Sequence, residues 1–387
     1  MSKIKLTILM PCLNEEETLA TCINKAKKWI FENNYPSEIL IADNGSIDKS
    51  QSIATALGAR VINVKKRGYG NAIFFGALEA KGKFIIMGDA DDSYDFSNLN
   101  LFIEKLEGGF DLVMGNRFAG GIMNGAMPWK NKFIGNPILS WLGRLFFKSK
   151  IRDFHCGLRG FSKKAFLKMD LRTSGMEFAS EMVIKANIFN MKIVEVPTIL
   201  HKDGRSRQPH LRPWRDGWRH LRFMLLFCPR WLFVIPGILT FLLSSLLYLA
   251  LLIAPIRIGG INLDLHTLFY AEAGVVLGLL SLFFGLIIRL FASREGLMSE
   301  HKLYEVVCKN PVLEIGSIAG ILAIAIGLYL GFFTLASWQS LNFGDIPNGA
   351  LLRAVSLSSL SIIVGGILLL SSLLMGFITM STREGRY

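Results

Sequence analysis

The chain has 387 residues, of which 51% are hydrophobic, and a formal net charge of +13 at pH 7. So large an apolar fraction in a chain of this length is typical of a membrane protein and excludes an ordinary soluble domain. Its five cysteines are scattered without the spacing of a zinc site, and we interpret them as ordinary thiols of a reducing compartment.

Short apolar runs alternate with helix-length segments near the start of the chain. The runs cover residues 4–11, 38–42, 60–64 and 83–86, and segments such as 16–32 and 48–57 lie between them. This alternation predicts βαβ units and a mostly parallel sheet in an α/β fold. Ligands of such sheets bind at the carboxyl ends of the strands, where four polar positions would converge: Asn14, Asp43, Gly68 and Asp89.

The fourth run ends in two aspartates one residue apart, Asp89 and Asp91. Carboxylates at this spacing can share a Mg²⁺ or Mn²⁺ ion, whose coordination is usually completed by substrate phosphates. Such an ion would neutralise a nucleotide diphosphate as it leaves. Acidic turns after strands are common, so the motif by itself is a weak signal.

Four motifs in the first hundred residues occur in the order expected of family-2 (A-type) glycosyltransferases. They are residues 11–15, 43–48, 67–72 and 89–91. Segments 115–118, 153–161, 195–197 and 203–207 further resemble the polyprenyl-phosphate (dolichyl-phosphate) mannosyl- and glucosyltransferases within that family. The resemblance covers roughly residues 4–220. It implies a Rossmann-like nucleotide-sugar-binding domain, a Mg²⁺ or Mn²⁺ cofactor, and a polyprenyl phosphate such as undecaprenyl or dolichyl phosphate as the acceptor.

The same resemblance implies a set of donor-binding residues. Relatives often carry an aromatic residue or Gln soon after the aspartates, whereas this chain has Asp-Ser-Tyr at 92–94, so we assign no third metal ligand. Asp43 corresponds to a contact with the ribose or base, and either Glu177 or Glu181 to a contact with the sugar hydroxyls. A surface pair is an equally good interpretation of those two glutamates. The predicted donor site comprises Pro11, Asn14, Glu15, Asp43, Gly68, Asn71, Asp89, Ala90, Asp91 and Glu181.

Cationic side chains are the candidates for binding the acceptor. A lipid phosphate is already anionic near neutral pH, so positioning by cations matters more than a general base. Arg117 follows a predicted strand and could hold the phosphate with its planar guanidinium, which gives it a catalytic role beside Asp89 and Asp91. Further candidates for binding the acceptor phosphate or the diphosphate, each of which could instead be a solvated surface charge, are Lys130, Lys132, Arg205 and Arg207.

The second part of the chain contains four long apolar segments, at residues 232–254, 267–292, 312–336 and 351–380. Each is long enough to cross a hydrocarbon core of about 30 Å as a helix. We therefore predict three regions: a catalytic domain at 1–200, a basic amphipathic segment at 201–230, and a bundle of four transmembrane helices at 231–387. Small residues in the last two segments indicate tight helix packing or homo-oligomerisation.

Lys and Arg residues are concentrated before the first span, between the second and third, and after the fourth. The positive-inside rule therefore places the catalytic domain and both termini in the cytoplasm, at the plasma (inner) membrane. Nucleic acid is a competing explanation for a basic domain. However, the densest basic and aromatic cluster, 208–223, adjoins the first span, so we predict membrane lipids as partners and no nucleic acid.

Residues 129–147 form a second basic and aromatic stretch. It could be a helix packed on the sheet, but the family resemblance favours a lid that contacts lipid and a lipid-borne phosphate. Two other functions also fit the sequence: a glycosyltransferase acting on another membrane lipid or a polysaccharide, and a catalytically inactive membrane scaffold. The intact Asp89–Asp91 motif argues against the scaffold.

Overall fold

The computed structural model describes residues 4–206, 213–295, 298, 307, 310–344 and 349–380. The chain divides into two compact units, Met1–Phe227 and Cys228–Tyr387. The helix of the predicted juxtamembrane segment, Pro213–Leu226, belongs to the first of these units.

The first unit is built around a seven-stranded sheet in the order β3-β2-β1-β4-β6-β5-β7. Strand β6 is antiparallel to both of its neighbours, and the other pairs are parallel. The predicted, mostly parallel α/β sheet is therefore confirmed. The strands are β1 (Leu6–Cys12), β2 (Ser37–Asp43), β3 (Arg60–Asn63), β4 (Phe84–Met87), β5 (Leu112–Asn116), β6 (Arg159–Ser162) and β7 (Ile193–Pro197).

Helices cover both faces of this sheet, which is why β1 and β4 are continuous apolar runs. One core layer contains Trp29 and Phe102, and the other contains Ile73 and Phe166. The helices are α1 (Leu19–Asn33), α2 (Ser50–Ala56), α3 (Tyr69–Glu79), α4 (Asn100–Glu107), α5 (Arg117–Gly120), α6 (Asn136–Phe147), α7 (Lys163–Met169), α8 (Phe178–Ile188) and α9 (Pro213–Leu226). A π-helical turn, Asn131–Gly135, leads into α6.

The second unit consists of long apolar helices. They are α10 (Ile235–Ile253), which continues a π-helical turn at Arg230–Val234, α11 (Leu265–Arg294), α12 (Val312–Ser340) and α13 (Ala350–Thr379). Four helices of the described residues are long and apolar enough to cross a membrane, which confirms the four predicted spans. A hairpin of β8 (Ile256–Ile258) and β9 (Ile261–Leu263) connects α10 to α11.

The small residues of α12 and α13 let these two helices pack closely. A Cβ atom on Gly320 would lie 2.7 Å from the carbonyl oxygen of Gly365, and one on Gly327 would lie 2.6 Å from the side chain of Ile362. Glycine at these positions therefore permits a backbone approach that a larger residue would prevent. The predicted tight packing is found within one chain, and homo-oligomerisation stays a prediction.

Candidate active site

The loops that follow β1, β2 and β4 meet at one edge of the sheet, because these strands are neighbours. The backbone N–H of Asn14 donates to the hydroxyl of Ser46 at 2.9 Å, and its side-chain oxygen accepts from the N–H of Ile47 at 2.8 Å. The N–H of Gly68 donates to the side-chain oxygen of Asn44 at 2.6 Å. The predicted strand-end residues Asn14, Asp43, Gly68 and Asp89 thus lie on a single connected rim.

A cavity of about 260 Å³ opens beside this rim. Four of its seven lining residues are acidic and one is an arginine, which makes the cavity suited to a ligand that brings cations or hydroxyl groups. The lining residues are Asn14, Glu15, Glu16, Glu17, Ile47, Asp48 and Arg205.

Asp43 is buried at the end of β2, and one of its two carboxylate oxygens has no hydrogen-bond partner. Its Oδ2 accepts hydrogen bonds from the N–H groups of Gly45 and Ser46 at 3.1 Å and from the amide of Gln51 at 2.8 Å. Its Oδ1 is buried and has no hydrogen-bond partner. A buried carboxylate oxygen without a donor is unusual and fits a position that a ligand hydroxyl or N–H would occupy.

Asp89 is held in place by its surroundings. The hydroxyl of Tyr69 donates to Oδ1 at 3.0 Å, and a Cβ on Gly157 would lie 2.5 Å from Oδ2, so only glycine allows the carboxylate this position. Burial, followed by the charge of Asp91, raises the pKa of Asp89 to about 6. The site therefore concentrates negative charge at the end of β4.

Asp91 has partners on both of its carboxylate oxygens. Oδ1 accepts from the backbone N–H and the hydroxyl of Ser93, at 3.1 and 2.5 Å. Oδ2 accepts from Nη2 of Arg205. The carbonyl of Ala90, between the two aspartates, accepts from the hydroxyl of Thr18 at 2.7 Å.

The residues at the end of β4 fit a Mg²⁺ or Mn²⁺ ion. Asp89 and Asp91 supply the oxygen ligands that these ions prefer. Burial, followed by the charge of Asp91, raises the pKa of Asp89, and a bound cation would stabilise its ionised form. Among the described residues, no group of three or more His, Cys, Asp or Glu side chains could hold a metal. Mg²⁺ ions in proteins are commonly held by one or two carboxylates together with substrate phosphates, and the two aspartates match that pattern.

Residues 201–206 form a strap across the aspartate motif. The N–H groups of His201 and Gly204 donate to the carbonyls of Ser93 and Asp91, at 2.9 and 3.0 Å. Ser206 donates to Glu17 through its N–H and its hydroxyl. Arg205 lies between two carboxylates: Nε is 3.2 Å from Oε2 of Glu15, and Nη2 pairs with Asp91. Arg207 lies outside the described residues.

Arg117 is buried and paired with Asp153. Its Nε and Nη2 each donate to one carboxylate oxygen at 2.7 Å, and its backbone N–H donates to Oδ2 at 3.0 Å. This ion pair occupies the guanidinium edge that was predicted to hold the acceptor phosphate. The acceptor role of Arg117 stays a prediction, and the structure adds a structural role that sequence reasoning missed.

Lys130 and Lys132 lie on an exposed aromatic segment before α6. Their Nζ atoms are 5.8 and 5.5 Å from the ring centroids of Trp129 and Phe133. These are cation–π contacts within the segment, typical of a basic and aromatic surface. Their predicted contact with the acceptor phosphate stays a prediction.

The predicted donor contact of Glu181 stays a prediction, and the structure adds protein partners for its carboxylate. The residue is buried, and its oxygens accept from the N–H groups of Arg172 and Thr173, from the hydroxyl of Thr173 and from Lys185. Its carboxylate supports the loop before α8 and has little capacity left for a sugar. Glu177, one turn earlier, has a buried Oε2 with no hydrogen-bond partner and is the better candidate.

That loop packs against the start of α3, where two more predicted donor residues lie. Gly68 has φ 132°, and a Cβ there would lie 2.2 Å from the carbonyl of Ser174, so the loop could not approach a larger residue. Asn71 donates from its side chain to the carbonyl of Arg67 at 2.9 Å. Pro11 is partly buried in β1.

A cluster of two histidines and a serine ties α9 to α8 and to the segment after Asp153. The hydroxyl of Ser180 lies 2.8 Å from Nδ1 of His220 and 3.4 Å from Nε2 of His155. Burial, followed by the positive charge of Arg159, lowers the pKa of His220 to about 4. Burial also lowers the pKa of His155, so both rings are neutral near pH 7. The motif at 153–161 was noticed in the sequence, but its histidine carried no signal of this cluster.

Two family models match the chain. Glycosyl transferase family 2 matches residues 7–169, and the glycosyltransferase family 2 C-terminal transmembrane region matches residues 286–379. The low-salt glycan biosynthesis hexosyltransferase of Haloferax volcanii is 33% identical over 390 residues, covering 96% of this chain and 88% of that protein. The dolichyl-phosphate hexose transferase of Haloferax volcanii is 26% identical over 212 residues, covering 55% of this chain and 89% of that protein.

A solved structure is also similar to part of the chain. It is the glucosyl-3-phosphoglycerate synthase of Mycobacterium tuberculosis in complex with Mn²⁺, uridine diphosphate and glucosyl-3-phosphoglycerate. The similarity covers 58% of this chain and 80% of that one, with 19% identity and a TM-score of 0.44. The two matched family regions fall one in each unit of the present structure.

Proposed function

The chain belongs to glycosyltransferase family 2, and on that premise we propose that it transfers one hexose from a nucleotide diphosphate sugar to a polyprenyl phosphate. One observation carries the donor half of this proposal. The aspartate pair after β4 lies on the same rim as Asp43, whose buried Oδ1 has no partner. An unpaired acceptor for a nucleoside and a carboxylate pair for a cation–diphosphate group are what such a donor requires. The relative named as a dolichyl-phosphate hexose transferase supports the acceptor half.

Each residue then has a defined task in donor binding. A Mg²⁺ or Mn²⁺ ion at Asp89 and Asp91 would offset the charge that develops on the departing diphosphate. Asp43 accepts a hydrogen bond from the nucleoside through Oδ1, and Tyr69 fixes the orientation of Asp89. Glu177 accepts a hydrogen bond from a sugar hydroxyl through its unpaired Oε2.

The acceptor needs positioning more than it needs a base. A lipid phosphate oxygen is anionic near neutral pH and can attack the sugar carbon directly. Attack on the side opposite the diphosphate inverts the configuration, so an α-linked donor gives a β-linked lipid-phosphate sugar. Arg117, Lys130, Lys132, Arg205 and Arg207 remain the proposed cations for the acceptor phosphate, and the ion pair of Arg117 with Asp153 limits what Arg117 alone can contribute.

Two features support an acceptor at the membrane surface. The chain has four helices that can span a membrane, and the Lys/Arg distribution supports our prediction that the catalytic unit lies on the cytoplasmic side of the plasma membrane. In addition, α6 and the turn before it expose an apolar face flanked by lysines, with Phe133, Ile138 and Trp141 each more than half exposed. A polyprenyl phosphate at the headgroup level would lie beside such a surface.

Transfer assays with the purified full chain in lipid nanodiscs test the proposal. We expect labelled hexose from a UDP- or GDP-sugar to pass to undecaprenyl or dolichyl phosphate and not to the neutral polyprenol. Asp91→Asn should lower the rate by about 10²–10³, the usual effect of losing one strong electrostatic stabiliser. Asp92→Asn is the matched control, because Asp92 pairs with Lys25 at 2.7 Å and is not a proposed metal ligand. This variant should keep most of the wild-type activity. Efficient transfer to the neutral polyprenol, or to a different lipid only, would refute the acceptor.

A further inference from the structure

Arg205 holds a position that a metal ion would require. Its Nη2 pairs with Oδ2 of Asp91, and its Nε lies 3.2 Å from Oε2 of Glu15. The Arg205 side chain is only 10% exposed and lines the cavity beside the rim. Oδ1 of Asp91 already accepts two hydrogen bonds from Ser93, so Oδ2 is the oxygen at which an incoming cation would meet Arg205.

Repulsion between like charges makes it unfavourable for a divalent ion and the guanidinium of Arg205 to contact Oδ2 of Asp91 at the same time. A divalent ion on Oδ2 of Asp91 would lie within a few ångströms of a guanidinium that is paired with the same oxygen, in a partly buried place where repulsion is weakly screened. The backbone of the strap does not depend on this contact, since His201, Gly204 and Ser206 make their own hydrogen bonds. Arg205 can therefore leave Asp91 by a change of side-chain rotamer while the strap remains attached.

We propose that Arg205 acts as a built-in substitute for the metal ion, neutralising Glu15 and Asp91 until donor and metal bind together. This inference rests on the proposed function, because it takes Asp89 and Asp91 as the metal position. Besides the acceptor phosphate proposed above, a nucleotide diphosphate brings anionic oxygens that would give the displaced guanidinium a new partner. The metal alone must compete with Arg205, whereas the metal with a nucleotide need not. Binding of the two ligands is consequently coupled through this one side chain.

The test is Mn²⁺ binding, followed by the electron paramagnetic resonance signal of free Mn²⁺ with the full chain in nanodiscs. Without nucleotide, Arg205→Gln should bind Mn²⁺ at least about fivefold more tightly than the wild type, the lower end of ordinary coupling between sites. The factor by which UDP or GDP tightens Mn²⁺ binding should fall in the same variant. Arg205→Lys keeps the charge and should stay nearer to the wild type.

Lys25→Gln is the matched control, because it removes a cation from Asp92, the neighbour of Asp91, without touching Asp91 itself. Its Mn²⁺ affinity should stay within about twofold of the wild type, since Lys25 is partly exposed to solvent, which screens its charge, and it contacts Asp92 rather than Asp91. An unchanged or weaker affinity in Arg205→Gln, or an equal gain in Lys25→Gln, would overturn the inference. Asp91→Asn separates the two proposals: if it binds Mn²⁺ as well as the wild type does, the metal position itself is wrong, whatever Arg205 does.

Discussion

Arg117 and Asp153 form a bidentate ion pair in which Nε and Nη2 each lie 2.7 Å from a carboxylate oxygen. Asp153 is fully buried and the Arg117 side chain is 9% exposed. Arg117 begins α5 directly after β5, and Asp153 begins the segment that leads to Gly157 beside Asp89. The pair therefore joins the end of one strand to the segment that shapes the predicted metal site.

Removing Arg117 should destabilise the protein, because it would leave Asp153 buried without its counter-ion. We expect Arg117→Ala to lower the free energy of unfolding by about 3–5 kcal/mol, measured as the shift of thermal unfolding in detergent. Arg172→Ala is the control: Arg172 pairs with Asp170 at 2.6 Å, but both are more than half exposed, and exposed pairs contribute less than about 1 kcal/mol. Equal shifts in the two variants would contradict a structural role for the buried pair.

The double variant Arg117→Ala/Asp153→Ala separates this role from acceptor binding. It removes both charges, so we expect it to be more stable than Arg117→Ala alone. If Arg117 also contacts the acceptor, the KM for polyprenyl phosphate should rise in the double variant while donor binding, measured by calorimetry, is unchanged. An unchanged KM would leave Arg117 with its structural role alone.

Glu177 and Glu181 should respond differently to the same substitution. Glu181→Gln replaces a carboxylate that accepts from Lys185, Arg172 and Thr173, so we expect a loss of stability of a few kcal/mol. Glu177→Gln should leave stability nearly unchanged, because the buried Oε2 of Glu177 has no hydrogen-bond partner to lose. It should lower kcat/KM for the donor sugar, because the proposed sugar contact uses that oxygen. Thermal unfolding and donor kinetics on both variants make the comparison, and the reverse pattern would restore Glu181 as the donor contact.

The fold was largely predictable because its signals are local. Short apolar runs mark β1, β2 and β4, and the polar residues that follow them had to meet at one edge of a parallel sheet. The four spans were predictable from length and apolar content. Strand β6 contains one arginine, one glycine and one serine among its four residues and had no such signal. Its antiparallel insertion between β4 and β5 depends on tertiary contacts.

The site was less predictable because the partners of its charged residues are distant in sequence. The ion pair of Arg117 with Asp153 spans 36 residues, and that of Arg205 with Asp91 spans 114. Glu177 and Glu181 share one helical spacing, and only the loop that contacts Glu181 distinguishes them. Sequence reasoning could therefore nominate the charged residues but could not say which ones the fold had already paired.

Acid should weaken the attachment of α9 through His220. Its pKa is lowered to about 4 in the folded protein, against about 6.5 in an unfolded chain. Between these values the unfolded chain binds a proton that the folded protein does not, so stability falls as the pH falls from 6.5 towards 4. At pH 5 the loss from His220 should be about 2 kcal/mol relative to pH 7.5.

The variant His220→Asn tests this dependence, because asparagine can keep a polar atom near Ser180 and does not titrate. Its thermal midpoint should fall less between pH 7.5 and 5 than that of the wild type. His155 remains in the variant and should preserve part of the slope, since burial lowers its pKa as well. His201→Asn, a change on the strap outside the cluster, should keep the wild-type slope. Identical slopes in all three proteins would show that His220 does not govern the pH response.

The apolar face of α6 should lie in the lipid interface. Its other side is packed in the first unit, since a Cβ on Gly143 would lie 2.7 Å from the ring of Phe154 and Ser140 is buried. The outward side chains of Phe133, Ile138 and Trp141 therefore have no core to enter. Exposed apolar area costs about 25 cal/mol per Å², and a bilayer interface would remove much of that cost.

A spin label at Ile138→Cys, with the full chain in nanodiscs, measures this placement. The four described cysteines are buried and should react little with the spin label. Cys308 lies outside the described residues and is replaced as well, so that the label attaches mainly at the introduced cysteine. Lys28→Cys is the matched control, on a side chain of α1 that is 65% exposed and polar. We expect the label at 138 to collide more with oxygen, which partitions into lipid, and the label at 28 to collide more with a water-soluble nickel chelate. Water-like collision rates at both positions would refute the interfacial helix. Lys130 and Lys132 would then face bulk water, and the helix would no longer support an acceptor phosphate at headgroup depth.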